Sequence, residues 1–400
     1  MQYYEDINIW SLNGEKISVT EDNDHLGLTV SGSEEEVKNV DRNLQSTRNS
    51  MFSLLGQAFS FKCKLSPTVQ LHIWSTYCKP VLRSGLAALP IRPTVMKSVT
   101  SFHHSTLRGF LKLSSSSPIA SLYFLLGEPP LEATLHMDVL SLFWNIWSNP
   151  QTQLFSVLRY ILMMTDNKSL TWAAHVRILC QIYNLPDPLL LLDGGLWPKE
   201  RWKTHIKAKI LAYHEAVLRK KALTNSKLKF LNVQITGLAG RCHPVLSDIN
   251  TTQDVVRLRP HVKMLAGDYL CYATLAKERG GDPQCRLCPS SPVAPAPDEN
   301  LIHILTRCRG TDDTRQRLFQ ELFKVVSAVS PSNQLLEKCD HLTLTQFILD
   351  CSSQNLPNSI RIPPNTKYMA PIIRICHSLC YAIHTERIRK LKELGHICRK

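Results

Sequence analysis

The sequence predicts a mainly α-helical protein with a short β segment at its N-terminus and a Cys-Cys-His-Cys loop near residue 300. Three observations support this fold class. Apolar and polar side chains alternate over the first thirty residues, whereas apolar residues recur every three or four positions from residue 33 onwards. Four cysteine and histidine side chains between residues 285 and 308 then interrupt the helical pattern with the spacing of a metal-binding motif.

The N-terminal segment is predicted as a set of short strands. Residues 7–10 and 16–19 alternate on either side of Asn13-Gly14, a dipeptide typical of hairpin turns. Residues 25–30 alternate again and predict one further strand. We therefore expect residues 1–32 to form a β unit.

Helices are predicted for most of the chain that follows. Ser33 is a favourable N-cap and three glutamates follow it, so it marks the start of a helix whose apolar positions include Val40 and Leu44. Eight further segments carry apolar stripes at helical spacing and are separated by proline, glycine and serine breaks. These segments are residues 67–77, 94–111, 131–147, 154–164, 172–183, 198–221, 311–329 and 368–394.

Length and composition limit the class of protein. A chain of 400 residues is long enough for two or three folding units. The 13 cysteines are irregularly spaced and follow no apolar leader, so we expect reduced thiols in an intracellular compartment, nucleus or cytoplasm. Every apolar run is much shorter than a membrane span, so no membrane association is expected.

Positive charge is concentrated in two segments. The net charge is +14, and residues 198–229 hold ten basic and two acidic side chains, while residues 366–400 hold eight basic and two acidic ones. Such clustering is typical of proteins that bind a phosphate backbone, although a single basic segment is more often a solvated helix face. The predicted nucleic-acid contacts in the first segment are Lys199, Arg201, Lys203, Lys207, Lys209, Arg219, Lys220 and Lys221.

The helix predicted at residues 198–221 has one apolar face, formed by Trp202, Ile206, Ile210, Tyr213 and Val217. We expect this face to dock on a core and the lysines beside it to point outwards.

The four-residue motif consists of Cys285 and Cys288, a gap of 14 residues, and then His303 and Cys308. Three thiolates and one imidazole are the ligand set of a closed tetrahedral zinc site, in which the metal is structural. The intervening loop contains four prolines, so it cannot form a helix or a central strand. The competing interpretation is four unrelated residues in a chain rich in cysteine and histidine. Arg286 and Arg307 stand beside the ligands and are added to the predicted nucleic-acid contacts.

Other candidate residues are better explained structurally. Asp312-Asp313 suits the acidic start of a helix, and His103-His104 is predicted as a surface or half-buried pair. Cys376, Cys380 and His384 share one helix face but extend too far along it to reach one ion. The prolines near Arg241 and near Arg257 and Arg259 predict loop or helix-start positions, where an arginine has two interpretations, a phosphate contact or a cap for neighbouring carbonyls.

Several segments resemble a known family when they are taken in order. Residues 24–30, Asp-His-Leu-Gly-Leu-Thr-Val, look like the strand that closes the palm in reverse transcriptases of non-LTR retrotransposons. The helices that contain Leu65-Ser-Pro and Trp74-Ser-Thr-Tyr resemble the thumb, and residues 120–132 are similar to the segment beyond it. A Cys-x2-Cys…His-x4-Cys cluster near the C-terminus is a recurring feature of such polyproteins.

This resemblance implies a C-terminal fragment without polymerase activity. The Tyr-x-Asp-Asp turn that holds the catalytic metal ions in the family has no counterpart here, so an N-terminal polymerase portion is expected to be missing. The implied units are a palm-end β remnant (1–32), a thumb-like helical domain (33–115), a helical linker domain (116–197), a basic helical region (198–283), a zinc-binding loop (284–310) and a C-terminal helical region (311–400).

The expected role is binding of RNA or DNA, largely without sequence preference. A zinc-containing helical adaptor that binds protein is the alternative, and a retrotransposon relic with no function is a third possibility.

Overall fold

The computed structural model describes residues 11–13, 15–16, 22–25, 27–31, 34–55, 65–164, 169–233, 240–290, 295–329, 336–363 and 367–396. Most of these residues are helical, which confirms the mainly α fold class. The helices are α1 (Glu35–Leu55), α2 (Pro67–Ile73), α3 (Lys79–Arg83), α4 (Pro93–Leu111), α5 (Ile119–Leu126), α6 (Leu131–Trp147), α7 (Gln153–Met164), α8 (Trp172–Ile182), α9 (Pro188–Asp193), α10 (Lys199–Leu223), α11 (Thr252–Leu265), α12 (Tyr272–Arg279), α13 (Asp312–Val329), α14 (His341–Leu349) and α15 (Met369–Glu393).

The β structure consists of two small antiparallel pairs, β1 (Ser11–Leu12) with β2 (Glu15–Lys16) and β3 (Asp22–His25) with β4 (Leu28–Ser31). The prediction of one strand over residues 25–30 is wrong, because the chain reverses at Gly27, whose φ of +81° lies in the left-handed region. The predicted strand at residues 7–10, most of the one at 16–19 and the predicted N-cap Ser33 lie outside the described residues.

Helix α1 carries the second hairpin. The buried Asn39 side chain receives a hydrogen bond from the Thr29 amide at 2.9 Å and donates one to the Thr29 carbonyl at 2.8 Å. This pairing satisfies backbone groups of β4 that would otherwise form an open strand edge. The hairpin is therefore fixed to the first helix.

Two large hydrophobic clusters form most of the interior of the described part of the chain. The larger one combines α1 to α5 and the start of α6 with the end of α10 and with α11, α13, α14 and α15. The smaller one combines α6 to α9 with the first half of α10. Helix α10 therefore joins the two clusters.

The buried stripe of α10 differs from the predicted one. Trp202, Ile206 and Ile210 are buried as predicted, but Tyr213 and Val217 are exposed by 44% and 37%. The stripe continues instead through His214, Leu218 and Ala222, all at steps of four residues. Steps of four drift around a helix by about 40° each, so the stripe follows the change of packing partner from the smaller cluster to the larger one.

Helix α11 corrects the interpretation of Pro260 as a loop or helix-start residue. Pro260 lies inside the helix, whose first turn is fixed by a reciprocal capping box between Thr251 and Asp254. An internal proline costs about 3 kcal/mol, yet Leu258 and Val262 on either side are buried in the larger cluster. Packing of α11 against α15 therefore compensates for the cost of a proline inside the helix.

No helix in the described part of the chain is both long enough and apolar enough to cross a bilayer.

Candidate metal centre and basic surface

Backbone pairing closes the loop that carries the first two metal-ligand candidates. The Cys285 amide donates to the Pro297 carbonyl at 2.8 Å, and the Glu299 amide donates to the Pro283 carbonyl at 2.8 Å. Gln284 and Asp298 form an antiparallel bridge between the same two segments. The proline-containing segment thus returns beside its own start, so the two ends of the loop are held together by the protein itself.

The second pair of candidates lies on one π-helical turn. The Cys308 amide donates to the His303 carbonyl at 2.8 Å, and the His303 amide is capped by the Asn300 side chain at 3.0 Å. Five residues span about 1.4 turns of an α-helix, which would point the two side chains in different directions. The wider turn brings both to the same side, and such turns occur frequently at functional sites.

Cys285, Cys288, His303 and Cys308 converge, as the sequence predicted. Each has at most 9% exposure, and their ligand atoms all lie within 4.8 Å of one another. The Cys285 and Cys308 sulfurs are 3.8 Å apart, the Cys288 and Cys308 sulfurs 3.9 Å, and Cys288 Sγ and His303 Nε2 3.4 Å. These separations are too long for a disulfide, in which the sulfurs are about 2.05 Å apart. The buried group could hold one metal ion.

The close approach of the three thiols shifts the pKa of each one. The hydrogen bond to Cys308 and burial raise the pKa of Cys285. The same bond, together with the neighbouring His303, lowers the pKa of Cys308. Burial raises the pKa of Cys288. A metal ion bound among the three thiols would favour deprotonation of all of them.

Backbone amides also point at the sulfurs. Hydrogen bonds from Leu287 to Cys285 and from Gly310 to Cys308 each lower the pKa of the thiol two residues earlier. The two halves of the site therefore repeat the same local turn. They also touch, because a Cβ at Gly310 would lie 2.5 Å from the Cβ of Leu287. The site needs a glycine at this position.

A buried ion pair attaches the loop to the C-terminal helix. Glu299 is fully buried and accepts hydrogen bonds from both Nε and Nη2 of Arg387 on α15, the first at 3.2 Å. The Arg387 guanidinium also lies over the rings of Tyr269 and Tyr272. A bidentate pair of this kind fixes orientation as well as distance.

Two further cations bind carbonyl groups around the fourth ligand. Arg315 Nη1 donates to the Cys308 carbonyl at 2.7 Å, and Lys390 Nζ donates to the Gly310 carbonyl at 2.7 Å. Because Arg315 lies on α13 and Lys390 on α15, the metal-ligand loop is held against two helices of the larger cluster.

The predicted nucleic-acid contacts divide into two groups. Arg219 is paired with Glu215, and Arg286 is paired with Asp282 at 3.0 Å, so their charges are partly neutralised. The remaining side chains form no ion pair within the described residues and are exposed or half-buried. They are Lys199, Arg201, Lys203, Lys207, Lys209, Lys220, Lys221 and Arg307.

The other candidate residues have structural roles. The prediction that His103 is a surface or half-buried residue is wrong, because it is fully buried and burial lowers its pKa well below the usual value. His104 is half-buried as predicted and hydrogen-bonds to Tyr123 at 2.8 Å. Cys376 and Cys380 are buried in the larger cluster. Asp312 begins α13, as the acidic pair predicted.

Comparison of the chain with protein-family models, with curated proteins and with solved structures found no match.

Proposed function

We propose that this chain binds RNA or DNA through the phosphate backbone, and that it represents the thumb and zinc-binding tail of a reverse transcriptase of the non-LTR type. The observation that carries the proposal is the exposed cationic surface of α10. Lys203 and Lys207 are exposed one turn apart, while Trp202 and Ile206 on the adjoining face are buried. The lysines therefore stand on a helix that the core holds in place.

The row of lysines on α10 is better explained by an anionic binding partner than by a helix face that is simply exposed to solvent. Like charges four residues apart on a helix destabilise it by about 0.2–0.5 kcal/mol per pair. Lys199, Lys203 and Lys207 form such a row, and no carboxylate forms an ion pair with any of them within the described residues. A phosphate backbone would neutralise the row and release counterions.

The metal in this proposal is zinc, and its role is structural. A tetrahedral ion with the usual Zn–S and Zn–N bond lengths requires S···S separations of about 3.8 Å and S···N separations of about 3.6 Å. The observed separations of 3.8, 3.9 and 3.4 Å support this assignment. Because the protein supplies all four ligands, no coordination position remains for substrate.

The zinc assignment is tested by metal analysis. Purified protein should contain one zinc ion per chain, and Cys285→Ser with Cys288→Ser should lose it. We expect the loop of the variant to become sensitive to protease while most helical signal remains, since the main core lies elsewhere. Unchanged zinc content in the variant would refute the site.

Support for the polymerase ancestry comes from the order of the elements. A small hairpin packs on α1, helical units follow, and the four-ligand cluster lies near the C-terminus. Asp312 pairs with Arg315 at the start of α13, which suits a structural role better than metal binding at a polymerase centre. The proposed role is therefore binding without chemistry.

Fluorescence anisotropy with a labelled oligonucleotide tests binding. The double variant Lys203→Glu, Lys207→Glu should weaken affinity by at least tenfold with an unchanged helical spectrum. Lys97→Glu with Lys324→Glu is the matched control, because both residues are exposed on other helices and the change in net charge is the same. Equal loss in both variants would mean that overall charge alone drives binding, and no binding by the wild-type chain would refute the function.

A protein-binding adaptor is the second candidate, and one surface favours it. Helix α7 exposes Leu154, Val157, Tyr160, Met163 and Met164 by 51–69%. An apolar helix face of this size marks an interaction site in many soluble proteins. The α10 variants discriminate between the candidates, because an adaptor would keep its partner binding when the lysines are reversed.

A further inference from the structure

Two tryptophans and two cations meet where α10 begins. Arg201 Cζ lies 4.6 Å from the centroid of the Trp197 ring, and Lys199 Nζ lies 5.3 Å from the centroid of the Trp144 ring. Both tryptophans are half-buried, and both cations are exposed. The surface therefore presents aromatic rings with positive charge placed over their faces.

The protein holds these rings in position. Trp144 Nε1 donates to the Trp197 carbonyl at 2.9 Å, which ties α6 to the segment before α10. The Trp197 ring also contacts the ring of His205, with centroids 5.3 Å apart, and that of the fully buried Trp202, with centroids 6.1 Å apart. A planar ligand would thus find a stacking surface that is already ordered.

The cations at this surface are not neutralised by the protein. Neither Arg201 nor Lys199 forms an ion pair with a carboxylate in the described part of the chain, although Glu200 lies between them in sequence. A guanidinium stacked on an indole is itself a flat surface on which a nucleobase can stack. Lys203 and Lys207 continue the positive charge along α10 from this point.

We propose that Trp144, Trp197 and Arg201 form a stacking platform for an unpaired base, so that α10 binds single-stranded nucleic acid in preference to a duplex. This inference rests on the proposed function and adds the class of substrate to it. A base in a duplex is stacked on its neighbours and cannot reach the platform, whereas each base of a single strand offers a free face. The lysines of α10 then bind the adjoining phosphates.

The test compares a single strand with a duplex of the same length and sequence at fixed salt. Wild-type protein should bind the single strand more tightly, and that strand should quench tryptophan fluorescence. Trp197→Leu and Arg201→Lys should each weaken single-strand binding by roughly tenfold and leave duplex binding unchanged. Arg201→Lys retains the charge but removes the planar group. Its control is Lys324→Arg on α13, at an exposed lysine outside both the platform and α10, and we expect this variant to bind like the wild type.

The outcomes separate the two proposals. The platform is refuted if both platform variants bind the single strand as tightly as the wild type does, or if they weaken single-strand binding and duplex binding equally. In either case the α10 lysine variants still test nucleic-acid binding itself. If the wild type binds neither strand form, both proposals fail. Because Arg201 is exposed, Arg201→Lys tests the platform even if Trp197→Leu destabilises the fold.

Discussion

Replacement of Gly310 by alanine should disrupt the metal centre without touching a ligand. The added Cβ would lie 2.5 Å from Leu287 Cβ and 3.2 Å from Leu287 Cδ1. Carbon atoms pack at about 3.5–4.0 Å, so the two turns that contain these residues must separate by about 1 Å. Leu287 precedes the ligand Cys288, and Gly310 follows the ligand Cys308 by two residues, so the shift acts on ligand atoms from both halves of the site.

A metal site tolerates much less than this displacement. Ligand distances in real sites stay within about 0.2 Å of their ideal values, and overpacking of this kind costs about 1–3 kcal/mol. We therefore expect zinc affinity to fall by roughly tenfold to a hundredfold, on the scale seen when groups that support a ligand are removed. Competition with a chromophoric chelator measures the change.

A matched control and a rescue sharpen this test. Gly195→Ala should have no effect on zinc affinity, because a Cβ there meets no heavy atom within 4 Å. Adding Leu287→Gly to Gly310→Ala removes the clashing Cβ and should restore part of the affinity. Wild-type zinc affinity in Gly310→Ala alone would refute the reasoning.

Two further predictions concern buried charge. Burial lowers the pKa of His136 to about 3 and that of His261 to about 4. As the pH falls, these histidines therefore bind protons in the unfolded chain before they do so in the folded protein. The free energy of unfolding should decrease as the pH drops from about 6.5 to about 4, by up to about 1.4 kcal/mol per pH unit for each histidine. Urea denaturation at several pH values measures this slope, and His136→Leu should flatten it; an identical slope in the variant would contradict the prediction. Glu299→Gln leaves the Arg387 guanidinium buried without its carboxylate and should cost about 3–5 kcal/mol of unfolding free energy, whereas Glu386→Gln, which breaks exposed pairs, should cost less than about 1 kcal/mol. Equal losses in these two variants would contradict the importance of burial.

The four residues of the candidate metal centre could be predicted from the sequence because the information is local. Two cysteines in Cys-x2-Cys spacing and a histidine and a cysteine in His-x4-Cys spacing lie within 24 residues, from Cys285 to Cys308. The supports of the site were not visible. Glu299 and Arg387 are 88 residues apart, and the contact of Gly310 with Leu287 depends on how the two turns approach. Sequence spacing carries no information about such contacts.

The sequence predicted a helix and its buried face correctly where the same face of that helix packs against a single neighbouring part of the core. The prediction failed where tertiary packing overrides the local signal, as at Pro260 inside α11 and at Tyr213 on α10. The second hairpin, formed by β3 and β4, was missed because the alternation of apolar and polar residues continues through Gly27. The pattern alone does not reveal where a strand turns back. The stacking platform was not predicted either, since Trp144 and Trp197 meet across 53 residues.

The salt dependence of nucleic-acid binding tests the central claim most directly. The logarithm of the binding constant should fall linearly with the logarithm of salt concentration, with a slope of about −0.7 to −0.9 per phosphate contact. We expect Lys203→Gln with Lys207→Gln to reduce the magnitude of that slope by about two such units, while Lys97→Gln with Lys324→Gln leaves it unchanged. A wild-type chain whose binding is insensitive to salt, or an α10 variant with an unaltered slope, would contradict the account.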